Sequence, residues 1–200
     1  PEDTRKTYNT FEGYHDMYAA YDAERKQDKF YGAGWAGYFA YDITKPESPK
    51  LVATITGVAG VDLAHTFMVD PTGRYAVTET ETQYQPIRIF DLKPALDSSK
   101  NISRPIGAWS PNWRNLVHQV EIRWPYVFAA GYADGLHVFN MMDPTNPYTV
   151  ASYDTYDGPV MINKDKPFDA PTPGTGDVSI GSFGIDVRNA DGLIVSADLN

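Results

Sequence analysis

Three of the four histidines in this 200-residue chain stand in similar surroundings: Tyr14-His15-Asp16-Met17, Ala64-His65-Thr66-Phe67 and Val117-His118-Gln119-Val120. Each opens a run of alternating residues, so extended backbone puts its ring in phase with the apolar residues two and four positions later. Neutral imidazole nitrogens converging from separate segments form a donor set for Zn, Fe or Cu, and nearby carboxylates can orient the rings. Asp16, Asp62, Glu121 and, in a fourth related stretch, Asp186 supply such carboxylates, a set that also suits acid/base work or Ca²⁺. A duplicated segment whose histidine hydrogen-bonds neighbouring backbone produces the same recurrence with no metal, and both arrangements are open at this level. The fourth stretch carries Ser182-Phe183-Gly184 where a histidine is expected, and His137, between Leu136 and Val138, reads as a packed residue.

Other chemistries lose ground. There is no His-Glu-x-x-His pair, Gly-x-Ser-x-Gly elbow, P-loop or dinucleotide fingerprint. Asp70-Pro71-Thr72-Gly73 and Asn189-Ala190-Asp191-Gly192 are simpler as β-turns than as calcium loops. With no cysteine, thiolate sites and disulfides are excluded. A net charge of −9 without a Lys/Arg cluster argues against nucleic acid, whose affinity comes from cationic contacts to phosphate. No apolar run approaches the roughly 20 residues of a membrane span, and Pro1-Glu2-Asp3-Thr4 lacks the features of a signal peptide. The acidic balance and turn-rich composition fit an exported protein, periplasmic or extracellular.

What must position these residues is a set of short strands. Sixteen Gly and 15 Pro, with 14 Tyr and 9 Phe, favour strands joined by turns over long helices. The chain repeats itself at the period typical of propellers. The clearest copy runs Val117–Ile122, Tyr126–Gly131, Gly135–Asn140 and Pro147–Tyr153, four strands that we term a to d. A second copy contains Ala64–Val69, Tyr75–Thr78, Ile87–Asp91 and Ile106–Trp109. The first contains Tyr14–Met17, Lys29–Trp35, Gly37–Asp42 and Leu51–Ile55. A fourth contains only Phe183–Val187 and Leu193–Ser196.

The expected fold is therefore all-β: a β-propeller of four-stranded antiparallel blades, with about three complete blades and partial ones, an excerpt of a larger propeller. Residues 1–13 would be the outer strand of a preceding blade, because Lys6–Gly13 is similar to Ala151–Gly158. Residues 14–57, 63–112 and 116–158 would be blades, 159–181 a long loop and 182–200 the first two strands of a further blade. After strand c, two copies read Tyr41-Asp42-Ile43-Thr44-Lys45-Pro46-Glu47-Ser48-Pro49 and Phe139-Asn140-Met141-Met142-Asp143-Pro144-Thr145-Asn146-Pro147, a rigid reversal set by proline and by Asx turns. This segment resembles the LVIVD-repeat propellers, over essentially residues 14 to 200. The second copy is looser, with Lys93–Ser103 inserted. The resemblance implies a propeller and no particular reaction.

In such a fold the d-to-a and b-to-c connections emerge on one face, where loops on a rigid scaffold gather binding residues. Trp35, Glu79, Glu81, Trp109, Trp113, Tyr132, Asp134 and Asp198 are expected there. The leading expectation is a binding or scaffold module for a protein, peptide or small ligand. The alternative is a metal-dependent oxidoreductase or hydrolase with His15, His65 and His118 holding Zn, Fe or Cu, the cofactors that the sequence leaves open.

Overall fold

The computed structural model describes residues 13–35, 37–61, 63–112, 116–158 and 180–199. Strands β1 (Tyr14–Asp22), β2 (Gln27–Gly34), β3 (Gly37–Asp42) and β4 (Lys50–Thr56) form the first blade, each antiparallel to the next. The second comprises β5 (Thr66–Val69), β6 (Tyr75–Glu79) and β7 (Ile87–Asp91); helix α1 (Lys93–Ser98) and strand β8 (Asn101–Ile102) intervene before its closing strand β9 (Gly107–Trp109). The third blade is β10 (Gln119–Arg123), β11 (Tyr126–Ala130), β12 (Leu136–Asn140) and β13 (Tyr148–Tyr153). A hairpin of β14 (Gly181–Val187) and β15 (Ile194–Leu199) follows. The all-β architecture of meandering blades thus stands, with α1 the single helix among the described residues. No described helix is long and apolar enough to cross a membrane.

Proximity along the fold divides the chain into two compact units, one of residues up to 78 with 88–106, the other of 79–87 with 107 onward.

Local chemistry explains the repeat. Asp42, Asp91 and Asn140 follow one another at intervals of 49 residues, each at the end of strand c. Each side chain accepts a hydrogen bond from the amide two residues on, Thr44 at 2.9 Å, Lys93 at 3.0 Å and Met142 at 2.8 Å. This Asx turn ends the strand by offering the backbone a partner other than the sheet. At the start of strand c, Gly37 and Gly135 lie at φ +136° and +75°, and a Cβ there would collide with the carbonyl oxygens of Ile55 and Tyr153. Glycine is required because strand d passes too close for a side chain.

The first blade departs from the expected four strands. Residues Lys93–Ser103, taken from sequence as a plain insertion, build α1 and β8, and β8 pairs in parallel with β4 to make a fifth strand. Asn101 explains the attachment. Its Oδ1 accepts from the hydroxyls of Thr54 and Thr56, both at 2.8 Å, and from the Thr56 amide at 3.1 Å, while its Nδ2 donates to the Thr56 carbonyl. Added pairing of this kind covers an otherwise open sheet edge.

Within each unit, strand a of one blade packs on strands a and b of the blade before it: β5 on β1 and β2, and β14 on β10 and β11. The backbone contact is the same in both. Trp35 at the end of β2 bridges Leu63, and Tyr132 just after β11 bridges Ser182. The core of the first unit fills this junction with Tyr31, Tyr38, Phe67 and alanines of β2 and β3.

Candidate functional site

In the second unit the b-to-c connections carry a polar cluster. Glu81 and Tyr132 are non-glycine residues in the left-handed region, at φ 42° and 48°, a conformation that costs energy and gathers at functional positions. Tyr132 is held there by a tight turn, with Gly131 N donating to Gly135 O and Gly135 N to Tyr132 O, and by reciprocal backbone hydrogen bonds with Ser182 of 2.6 and 3.0 Å. Its hydroxyl donates to Glu81 Oε1 at 2.5 Å. The Glu81 amide donates to the buried carboxylate of Glu79, also at 2.5 Å, so one acid fixes the backbone that presents the other.

His118 completes the cluster. Its Nδ1 lies 2.8 Å from the Phe183 carbonyl oxygen, which only accepts, so this nitrogen is the donor. Nε2 stands 3.9 Å from Glu81 Oε1, beyond hydrogen-bond length. The ring is edge-on to Tyr132 and against Phe183, with centroids 5.5 and 4.6 Å apart. Asn112 adds a donor to Asp134 Oδ2 at 2.9 Å. A carboxylate, a phenol and an imidazole thus meet. The carboxylates of Glu79, Glu81 and Asp134 make the surroundings acidic and suit a positively charged donor.

The first unit holds a second arrangement. The rings of His15 and His65 have centroids 4.3 Å apart, and they offer ring nitrogens within 4.8 Å of each other. His15 is the extra residue of a bulge, where the β1–β2 register shifts between Tyr14 and Asp16; a bulge re-aims the side chain that it carries. His65, 2 % exposed, lies just before β5 with Nδ1 3.1 Å from Thr66 Oγ1. The residues two and four positions beyond His15, Met17 and Ala19, are exposed, whereas those beyond His65, Phe67 and Val69, are buried. The Nδ1 contact of His118 is to the backbone of the neighbouring blade, within the second unit.

Other expected face residues are placed as follows. Trp35 is part-buried and bridges Leu63. Asp198 is exposed on β15, opposite Ser182. Trp109 is a correction, because it closes β9 with its ring buried, stacked on Phe139 at 4.5 Å, and its Nε1 donates to Thr149 Oγ1. A strand-end indole with an available hydroxyl partner is packed, and it cannot offer a face to a ligand. Trp113, and nearly all of the expected long loop, lie outside the described residues. His137 is packed beside Trp109, its Nε2 2.9 Å from the Asp134 carbonyl oxygen, and burial lowers its pKa. The turn reading of Asp70 agrees with its bonds, since its carboxylate accepts from the amides of Thr72, Arg74 and Tyr75.

Sequence reasoning missed the role of Gln119 and Arg123 and gave Glu121 only an acid's part. Gln119 Oε1 accepts from the Ile185 amide at 3.0 Å, Glu121 Oε2 from the Val187 amide at 2.6 Å, and Arg123 donates to the Val187 carbonyl. The signal was visible: a strand alternating Gln119, Glu121 and Arg123 with the buried Val120 and Ile122 has a second face that needs polar partners.

No family model matches this chain, and no curated protein matches it. Among solved structures it is similar to the β-propeller domain of Cps50 (Swd1) from Myceliophteria thermophila, at 10% sequence identity and a TM-score of 0.47. That likeness covers 63% of this chain and 43% of the other. The fold assignment stands on the blades themselves.

Proposed function

We propose that this chain is an LVIVD-like propeller module that binds a partner through its b-to-c connections, and that the partner presents a cationic, hydrogen-bond-donating group such as a lysine or arginine side chain of a peptide. The observation that carries the reading is the Tyr132–Glu81 hydrogen bond between two left-handed residues. Such a backbone holds a carboxylate and a hydroxyl in a fixed relation before any ligand arrives, which lowers the ordering cost of binding. The acidic neighbours Glu79 and Asp134 favour the same sign of ligand. Loops on a rigid sheet scaffold suit the role.

Fluorescence anisotropy with matched basic, neutral and acidic peptide libraries tests it. Basic peptides are expected to bind best, more weakly as salt is raised. Glu81→Gln should weaken them by about tenfold or more, the loss of one charge-assisted contact, while the melting temperature changes little. Equal binding of all three libraries, or a Glu81→Gln variant that binds basic peptides as the parent does, would remove the reading.

A further inference from the structure

We infer that the first unit carries a bis-histidine site for a divalent transition ion of the Zn²⁺ or Cu²⁺ class, held by His15 and His65. The inference goes beyond the peptide-binding reading and concerns two other residues.

Three observations carry it. The two rings are neighbours, tilted by 43° with centroids 4.3 Å apart, although fifty residues separate them in the chain. His15 leaves the regular strand at a bulge, so its ring direction is set by an extra residue and not by the pleat. The two rings also differ in solvation. His15 is exposed, and His65 is nearly out of water with its orientation set by Thr66 Oγ1. An ion can therefore arrive from solvent at His15 and be held against a ring already fixed from behind, the outer-contact arrangement that orients metal-bound imidazoles.

The geometry is close to what coordination needs. Two metal–nitrogen bonds of about 2.1 Å at a tetrahedral angle span roughly 3.4 Å. The ring nitrogens lie within 4.8 Å, and rotation of the exposed His15 side chain can close the remainder. Imidazole is a good donor for Zn²⁺ and Cu²⁺ and a poor one for Ca²⁺ or Mg²⁺, so the site discriminates by ligand type.

Titration of the full chain with ZnCl₂ near pH 7.5, followed by calorimetry, is the test. One ion per chain is expected, with no response to CaCl₂. His15→Ala removes an exposed side chain and should fold as the parent does, yet bind Zn²⁺ at least about tenfold more weakly, one donor of two being gone. Because His65 is buried, His65→Gln is the milder companion. Should it fail to fold, the electron paramagnetic resonance spectrum of Cu²⁺ carries the decision through His15→Ala, with coupling to two nitrogens in the parent and one fewer in the variant. Absence of Zn²⁺ binding, unchanged binding in His15→Ala, or loss with His118→Ala instead would overturn the site.

Discussion

Where β5 meets β1 and β2, Phe67 stands edge-on to Tyr31 and Tyr38, with centroids 5.2 and 5.5 Å away. Where β14 meets β10 and β11, side chains of Gln119, Glu121 and Arg123 reach the backbone of Ile185 and Val187. The backbone bridge at the two junctions is equivalent, Trp35 to Leu63 and Tyr132 to Ser182. Successive blades of one chain therefore stack by two chemistries. Aromatic packing is worth much and is tolerant of small slides, because it depends on area and ring geometry. A ladder of polar side chains contributes less per contact but specifies register, since only alternate amides of strand a are available on the edge away from its hairpin partner. The polar junction adjoins the His118, Tyr132 and Glu81 cluster through the Phe183 carbonyl and Ser182, so the stricter register lies beside the candidate binding residues.

Breaking the aromatic junction should have the largest effect. Phe67→Ala removes a ring that is 1 % exposed and is expected to cost about 3–5 kcal/mol in urea unfolding. Hydrogen exchange should show the loss in β1, β2 and β5. A cost under about 1 kcal/mol would mean that the aromatic cluster does not hold these blades together.

The polar junction responds less and more selectively. Glu121→Ala leaves the Val187 amide and the Arg123 guanidinium without their carboxylate, for an expected cost of about 1–3 kcal/mol. Glu121→Gln keeps an acceptor and should cost less. Equal losses in the two variants would show that the amide contact is not what matters.

A third comparison is the smallest in effect and concerns the matched turns, Asp42 and Asp91 in the first unit against Asn140 in the second. The Asp91 pKa lies below its ordinary value of 3.8, chiefly through the hydrogen bonds from Arg74. The Asp42 carboxyl is lowered mainly by Thr44. With the folded value depressed, the unfolded chain takes up the proton first; the stabilisation is present above about pH 4 and is lost as pH falls through the folded value. Asp91→Asn should therefore flatten the acid limb of melting temperature against pH, making this turn behave as Asn140 does. An acid limb as steep as the parent's would assign the pH dependence to other groups.

Much of the fold was legible before any coordinates. Strand positions followed from alternation, and the reversals after strand c from Asp, Asn and Pro, because both signals act within a few residues. The fifth strand of the first blade was not legible, since Asn101–Ile102 is too short to carry an alternation and joins β4 through hydroxyls 45 to 47 residues away. Of the candidate site, Glu79, Glu81, Tyr132 and Asp134 were singled out by residue type and loop position, and His118 as a histidine at the start of strand a and a metal candidate. Trp109 was misjudged because its stacking partner, Phe139, belongs to another copy of the repeat.

By itself the chain determined what depends on neighbours in sequence: extended segments, their turns, the 49-residue spacing of Asp42, Asp91 and Asn140, and the recurrence of histidine near strand a. Only the tertiary structure decided which face of β1 is exposed, that a bulge turns His15 towards His65, and that the Tyr132 hydroxyl meets Glu81. The physical reason is range. Dihedral preference and side-chain alternation act within a few residues, whereas a ring contact or a hydrogen bond across fifty residues exists only once packing has chosen which strands lie together.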